Sequence, residues 1–193
     1  MAMCMQIRLV PLQQADREQF IRDNQEAFRY GALEESGSIF QPLEEGGEII
    51  SRASIEASIE AESSKAYRIL ADGKYVGGMV LNLNLPEEQG DLELFFIHPQ
   101  EHNKGIGTAA WHAVERLHSD IRIWTTFMPY FEKRNIHFYV NRLGFQIDEF
   151  FHKGHWFHAG ADDEYDEGPD EMFHFVKYVR VKEKQKGKRE GNL

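Results

Sequence analysis

The residues of this 193-residue chain with the clearest capacity for chemistry lie between positions 91 and 118, DLELFFIHPQEHNKGIGTAAWHAVERLH. Gly105 and Gly107 stand between two apolar patterns. Before them, Leu92, Leu94, Phe95, Phe96 and Ile97 form a short, aromatic-rich run closed by Pro99, which reads as a strand. After them, Ile106, Ala109, Ala110, Ala113, Val114 and Leu117 recur at i, i+3, i+4, i+7, i+8 and i+11, one stripe of a helix that starts on the glycines. Glycine lets the backbone approach a ligand closely, and the first helical turn presents unpartnered N–H groups at the positive end of the dipole. Asn103, Lys104, Gly105, Ile106, Gly107 and Thr108 therefore make a candidate anion site.

Two anion motifs fit this turn poorly. A P-loop needs Gly-Lys-Ser/Thr, whereas Lys104 precedes the glycine and only Thr108 follows. Gly105, Gly107 and Ala110 satisfy GxGxxA, but the turn from strand to glycine is too long and no acidic residue closes the next expected strand, 121–126. The whole stretch instead resembles the acyl-CoA-binding motif of the GNAT superfamily of N-acetyltransferases, V-x-P followed by Q/R-x-x-G-x-G/A. Here those positions read Ile97-His98-Pro99, then His102-Asn103-Lys104-Gly105-Ile106-Gly107. A second signature, an asparagine and a tyrosine on a late helix ending in Leu-Gly-Phe, is matched by Asn135, Tyr139 and Leu143-Gly144-Phe145. The resemblance spans residues 92–145, with His102 where the family carries Gln or Arg. Because that turn acts mostly through backbone N–H groups, His102 bears on one side-chain contact more than on the site.

The resemblance implies a single-domain α/β fold with a mixed, mostly antiparallel sheet flanked by helices, and acetyl-CoA as co-substrate. The donor's pyrophosphate would rest on the N–H groups of residues 103–108, its thioester carbonyl at the backbone of Phe95 and its pantetheine arm at that of Ile97, both freed by a splayed central strand, with Phe96, Asn135 and Phe138 beside it. Lys104, Lys133, Arg134 and Arg142 are cations near this site, though a solvated cationic face explains the last three equally well. Tyr139 matches the family's tyrosine that protonates the leaving thiolate; a phenol of pKa about 10 suits a thiolate of similar basicity. Asp91 or Glu93 would serve as the base, against the alternative of a solvated strand end. The implied reaction is direct transfer of an acetyl group to a primary amine, of a small molecule or peptide, in a ternary complex. A noncatalytic acyl-CoA-binding module is the rival, and it would have no use for Tyr139, Asp91 or Glu93.

Other elements must hold these residues. Strands are expected over 5–12, 66–71 and 74–83, the last two joined at Asp72-Gly73, a hairpin signal. Asp16 and Gln19 suggest a capping box for a helix ending at Gly31. A long acidic loop follows over 31–47, and a second helix then runs through Ile55 and Ile59. After the strand at 121–126, Pro129 precedes a helix over 131–143 closed by Gly144, and strands follow at 146–153 and 173–181. One domain over 1–182 and a charged tail over 183–193 are expected.

Composition narrows the partners. With 22 basic and 32 acidic residues the net charge is −10, which disfavours sequence-independent nucleic-acid binding and favours a cationic or neutral acceptor. Seven carboxylates crowd the stretch from 162 to 171: Asp162, Asp163, Glu164, Asp166, Glu167, Asp170 and Glu171. In the resembling family the corresponding loop faces the acceptor. His152, His155 and His158 recur every third residue, a spacing that does not share one strand face, so no metal is expected there. The lone Cys4 rules out an internal disulfide framework. No apolar run reaches the length of a membrane span and no leader pattern opens the chain, so a cytoplasmic protein without a membrane partner is expected. A homodimer is compatible with all of this.

Overall fold

In a computed structural model the described residues are 5–36, 49–152 and 171–179. They form one seven-stranded sheet in the order β1-β2-β3-β4-β5-β7-β6. The strands are β1 (Ile7–Pro11), β2 (Ser64–Ala71), β3 (Lys74–Asn84), β4 (Gln89–Ile97), β5 (Ile123–Pro129), β6 (Gln146–His152) and β7 (Glu171–Tyr178). All neighbours are antiparallel except β4 and β5, which run parallel. That single parallel pair requires a crossover, and α3 (Ile106–Leu117) supplies it. The helices α1 (Arg17–Ser36) and α2 (Arg52–Glu60) precede the hairpin of β2 and β3, and α4 (Lys133–His137) follows β5.

The sheet has a core on each face. On one, Phe20 and Ile21 of α1 and Ile55 of α2 pack on Val80, Leu94 and Phe96. On the other, Ile106, Ala110, Trp111 and Val114 of α3 pack on Leu81, Leu92, Trp124, Met128 and Phe175, with Tyr139 and Leu143 from beyond α4. The stripe read on α3 is thus the buried one, and the fully buried Trp111 and Trp124 meet edge to face at 5.3 Å.

Several expected boundaries shift. α1 continues past Gly31 to Ser36, because Ala32, Leu33 and Glu34 are good helix formers and Ala32 is buried. The capping box does not form: a 3-10 turn over Gln14–Asp16 leads into the helix, and the Gln19 amide instead donates to Asp23 at 2.7 Å. The strand expected at 121–126 lies at Ile123–Pro129, since Pro129 ends a strand without needing to donate. β6 follows its expected span as far as His152, the last described residue there, and β7 runs from Glu171 to Tyr178, starting earlier and ending sooner than expected. The helix expected over 131–143 divides into five α-helical residues and a π turn, Phe138–Leu143. Cys4, most of the acidic loop at 37–48, His155, His158, residues 162–170 and the tail at 183–193 lie outside the described residues. No described helix is long and apolar enough to cross a membrane.

Candidate active site

The parallel ladder between β4 and β5 is short. Gln89, Gly90 and Asp91 pair with Ile123, Trp124 and Thr125, and pairing stops there. On its other side β4 continues against β3 to Ile97, opposite Gly77. A register shift opposite Val80 and Leu81 leaves Glu93 as the extra residue of a bulge. The bulge has a visible effect on packing: Leu92 faces the α3 core and Leu94 the α1 core, although two residues of a regular strand share a face. The Thr126 hydroxyl donates to the Leu92 carbonyl at 2.8 Å and satisfies the first acceptor freed by the divergence. Farther along, the His98 amide donates to Val76 of β3, so by alternation Phe95 and Ile97 turn their backbone groups away from β3 and into the gap.

The gap opens into a cleft of about 630 Å³ lined by Glu93, Phe95, Phe96 and Ile97, by Thr126, Phe127 and Met128 of β5, and by the turn after β4. That turn leads into α3 through Asn103 and Gly105, both left-handed at φ 63° and 77°. Gly105 is the N-cap of α3 and supplies no side chain to the first-turn amides, and the ladder begins with Ala109 donating to its carbonyl at 3.1 Å. The N–H groups of Ile106, Gly107 and Thr108 therefore remain for an anion. Gly107 has a further reason to be glycine: a Cβ there would lie 2.9 Å from Cζ of Phe138, so the ring of the π turn rests against the backbone.

His102 donates from Nε2 to the Ile97 carbonyl at 2.8 Å, which leaves Nδ1 to accept from Arg134 at 3.2 Å. Arg134 also pairs with Glu34, and Tyr30 donates to Glu34 at 2.5 Å. The chain of contacts ties α1 to α4 across the open end of the splay. The Lys104 ammonium bonds Glu101 at 2.7 Å, as does Lys74. These two cations hold the Glu101 carboxyl well down, to about 2. Asn135 donates to Glu132 at 2.5 Å.

Tyr139 sits in the π turn, whose wider hydrogen-bond spacing shifts side chains off the preceding α-helical face. Gly144, left-handed at φ 78°, closes it. Buried among Phe138, Phe145 and Phe175 while still lining the cleft, Tyr139 has its phenol pushed well above the ordinary value by desolvation and, secondarily, by Glu132. It stays a neutral proton donor throughout the neutral range. Glu93 is accessible from the cleft, yet the surrounding protein desolvates its carboxyl and raises its pKa. The nearby Asp91 charge adds to that rise and a hydrogen bond from Asn82 opposes it.

Of the residues singled out from sequence, Tyr139, Glu93, Phe95, Phe96, Ile97, His102, Asn103, Gly105, Ile106, Gly107, Thr108, Asn135 and Phe138 converge on one cleft. Arg134 and Arg142 line it as well, whereas Asp91, Lys104 and Lys133 do not. Asp91 accepts from the Thr125 hydroxyl at the closed base of the splay, and the Lys104 side chain turns to Glu101. Phe28, Thr126, Phe127 and Glu132 line the cleft without having been signalled. Phe28 was visible only as part of an apolar helix face, and the β5 residues only as members of a strand. Among the described residues no group of three or more His, Cys, Asp or Glu side chains is placed to hold a metal ion.

Residues 6–145 match the model of the acetyltransferase (GNAT) family. Over 175 residues, 88% of this chain and 92% of the relative, the sequence is 38% identical to the uncharacterized protein YrkN of Bacillus subtilis (strain 168). Among solved structures, the ribosomal-protein-S18-alanine N-acetyltransferase of Escherichia coli superposes with a TM-score of 0.63 at 12% identity, covering 93% of this chain and 98% of that one. The spermidine N-acetyltransferase of Vibrio cholerae, in complex with CoA and spermine, does so with a TM-score of 0.59 at 14% identity, covering 90% and 95%. At such identities the likeness is one of fold.

Proposed function

The chain belongs to the acetyltransferase (GNAT) family, and from that we propose that it transfers the acetyl group of acetyl-CoA to a primary amine by direct attack in a ternary complex. The observation that carries this reading is the early end of the β4–β5 ladder, which frees the backbone of Phe95 and the amide of Ile97, whose carbonyl His102 holds, along a cleft that runs to the uncapped start of α3. Backbone donors released from a ladder suit an amide-rich arm, and the first turn of a helix suits a pyrophosphate. The cleft volume of about 630 Å³ lies within the range of small-molecule sites.

In this reading the amides of Ile106, Gly107 and Thr108 hold the phosphates. Phe95 and Ile97 align the arm, and a freed β4 amide polarises the thioester carbonyl; one such donor is worth roughly 3 kcal/mol in the transition state. Glu93 faces the acceptor as the anionic partner of its ammonium. Tyr139 supplies the proton to the departing thiolate. Its raised pKa makes it a reluctant acid in the resting protein, so transfer is driven by the basicity of the thiolate as the C–S bond breaks.

The acceptor we propose is cationic, a small amine or peptide, on the strength of the net charge of −10 and of Glu93 with Asp91 behind it. The fold shared with a spermidine acetyltransferase agrees with this. The test is release of free thiol from acetyl-CoA in the presence of a panel of primary amines, beside a thermal-shift titration with acetyl-CoA alone. Amine-dependent thiol release is expected. A thermal shift without release from any amine would identify a noncatalytic acyl-CoA-binding module instead.

A further inference from the structure

The sheet face that carries α1 and α2 continues beyond β4 onto β5, β7 and β6. Trp124 and Met128 of β5 belong to the α3 core, so Thr125 and Phe127 point to the opposite face. Their partners on β7 are Val176 and His174, which share that face. Asp91, bonded by Thr125, lies on it too. No described helix packs over this half of the face: α1 and α2 cover β3 and β4.

On this ground stands a pair unrelated to any element of the donor site. His174 Nδ1 lies 2.7 Å from Asp148 Oδ1. The bulge in β6 between Ile147 and Glu149 places Asp148 there, since it is the residue without a partner in the register. A carboxylate only accepts, so Nδ1 carries a proton, and in the neutral form of the ring Nε2 is the nitrogen with the lone pair. The ring lies against Phe127, centroids 4.7 Å apart and planes tilted by 46°, and Phe127 lines the cleft. About a fifth of the His174 side chain remains accessible. An imidazole oriented by a carboxylate, partly accessible and in contact with a ring that lines a substrate cleft, is the arrangement of a general base.

We infer that His174, oriented by Asp148, accepts the proton of the acceptor's ammonium on the α1 side of the splay. The inference rests on the acetyl-transfer reading and extends it to a residue pair that no sequence motif marks. The ammonium N–H bond breaks and its proton goes to His174 Nε2, which later releases it to solvent. The freed amine nitrogen forms the bond to the acetyl carbon as the C–S bond breaks. The thiolate takes the Tyr139 proton, the new amide nitrogen loses its second proton to solvent, and Tyr139 recovers a proton from solvent, so that one proton is released overall. Glu93 then serves as the anionic partner that holds the ammonium, and the Phe127 ring flanks the acceptor's carbon body.

The test compares wild type with His174→Ala, His174→Gln and Asp148→Asn, using acetyl-CoA with spermidine and tyramine. For either histidine variant kcat should fall about 10²-fold, as for loss of a general base, while the KM for acetyl-CoA stays within twofold. Added imidazole should restore part of the rate in His174→Ala and none in Tyr139→Phe. Unchanged turnover, a matching loss of acetyl-CoA affinity or absence of imidazole rescue would overturn the assignment. A second measurement does not depend on turnover. In spectra of protein carrying ¹⁵N-labelled histidine, the His174 Nε2 signal should be that of an unprotonated nitrogen, should lose that state in Asp148→Asn, and should move on adding a covalent CoA–spermidine conjugate but not CoA. If wild type releases no thiol with any amine, the acetyl-transfer reading fails by itself. A His174 signal unmoved by the conjugate would sink the present inference in either case.

Discussion

The cleft has two halves built in different ways. Its donor half is nearly continuous in sequence: β4, the glycine turn and the start of α3 follow one another from Glu93 to Thr108, and the π turn closes the pocket from outside. It presents mainly backbone groups. The proposed acceptor half is assembled from distant strands: Glu93 of β4 and Phe127 of β5 line the cleft, and the Asp148–His174 pair of β6 and β7 adjoins it through Phe127. A phosphate turn has to meet one invariable ligand, so local geometry suffices. An acceptor site gains its selectivity from side chains that register alone brings together.

That contrast can be broken most sharply at the donor half. Gly107→Glu should abolish the rise in melting temperature that acetyl-CoA produces, a stabilisation of about 2.7 kcal/mol at a hundred times Kd. The introduced carboxylate meets the phosphates, and its Cβ meets Phe138, so Gly107→Ala separates the two effects. The alanine variant should keep part of the shift after a modest loss of intrinsic stability. A full shift in Gly107→Glu would place the donor elsewhere.

Between the halves stands Tyr139. Replacing it by Phe removes only a hydroxyl from a ring already packed among Phe138, Phe145 and Phe175. Turnover should fall by roughly 10²-fold with acetyl-CoA binding nearly intact. Equal losses in both quantities would make Tyr139 a packing residue.

Thr126 tests whether the splay is a designed divergence or a frayed ladder. Its hydroxyl donates to the carbonyl of the buried Leu92 at the apex. Thr126→Val keeps the shape and strands the acceptor, at a cost of about 1–3 kcal/mol. Chemical denaturation should show that loss with an unchanged m-value. No loss would mean that water already serves Leu92.

The same contrast explains what could be read from the sequence. The glycine turn before α3, the α3 stripe, the Asp72-Gly73 hairpin and the place of Tyr139 on a late helical turn were legible because each depends on spacing within one element. The β4–β5 divergence was not, since a strand that leaves its neighbour has the same composition as one that stays. The bulge at Glu93 was equally hidden: alternation predicts that Leu92 and Leu94 share a face, and tertiary packing sends them to opposite cores. Asp148 and His174 are separated by the described part of two strands and by residues 153–170, and nothing in their local context links them. Lys104 has a partner that the turn motif does not signal. A lysine beside a phosphate turn invites a phosphate contact, but Glu101 three residues earlier is within its reach and takes the ammonium.

The smallest expected effect concerns Glu93 and sharpens its place in the acceptor half. Desolvation first, then the Asp91 charge, raises its pKa in the folded protein. The unfolded chain lacks both causes, so between the ordinary carboxylate value and the raised folded one the native state binds more protons than the unfolded state. Stability must therefore fall as pH rises through that window, the reverse of a salt-bridged carboxylate. Glu93→Gln removes the titration. Melting temperatures of both proteins, taken without ligand across the acidic range and up to neutrality, should show the variant gaining on wild type as pH increases. The gain should be modest, because Glu93 keeps contact with solvent. Adding a polyamine such as spermidine at neutral pH should narrow the difference, since an ammonium beside Glu93 favours its ionised form. A variant that loses ground as pH rises would mean that Glu93 is already paired with a cation in the resting protein, and the acceptor would have to find its anionic partner elsewhere.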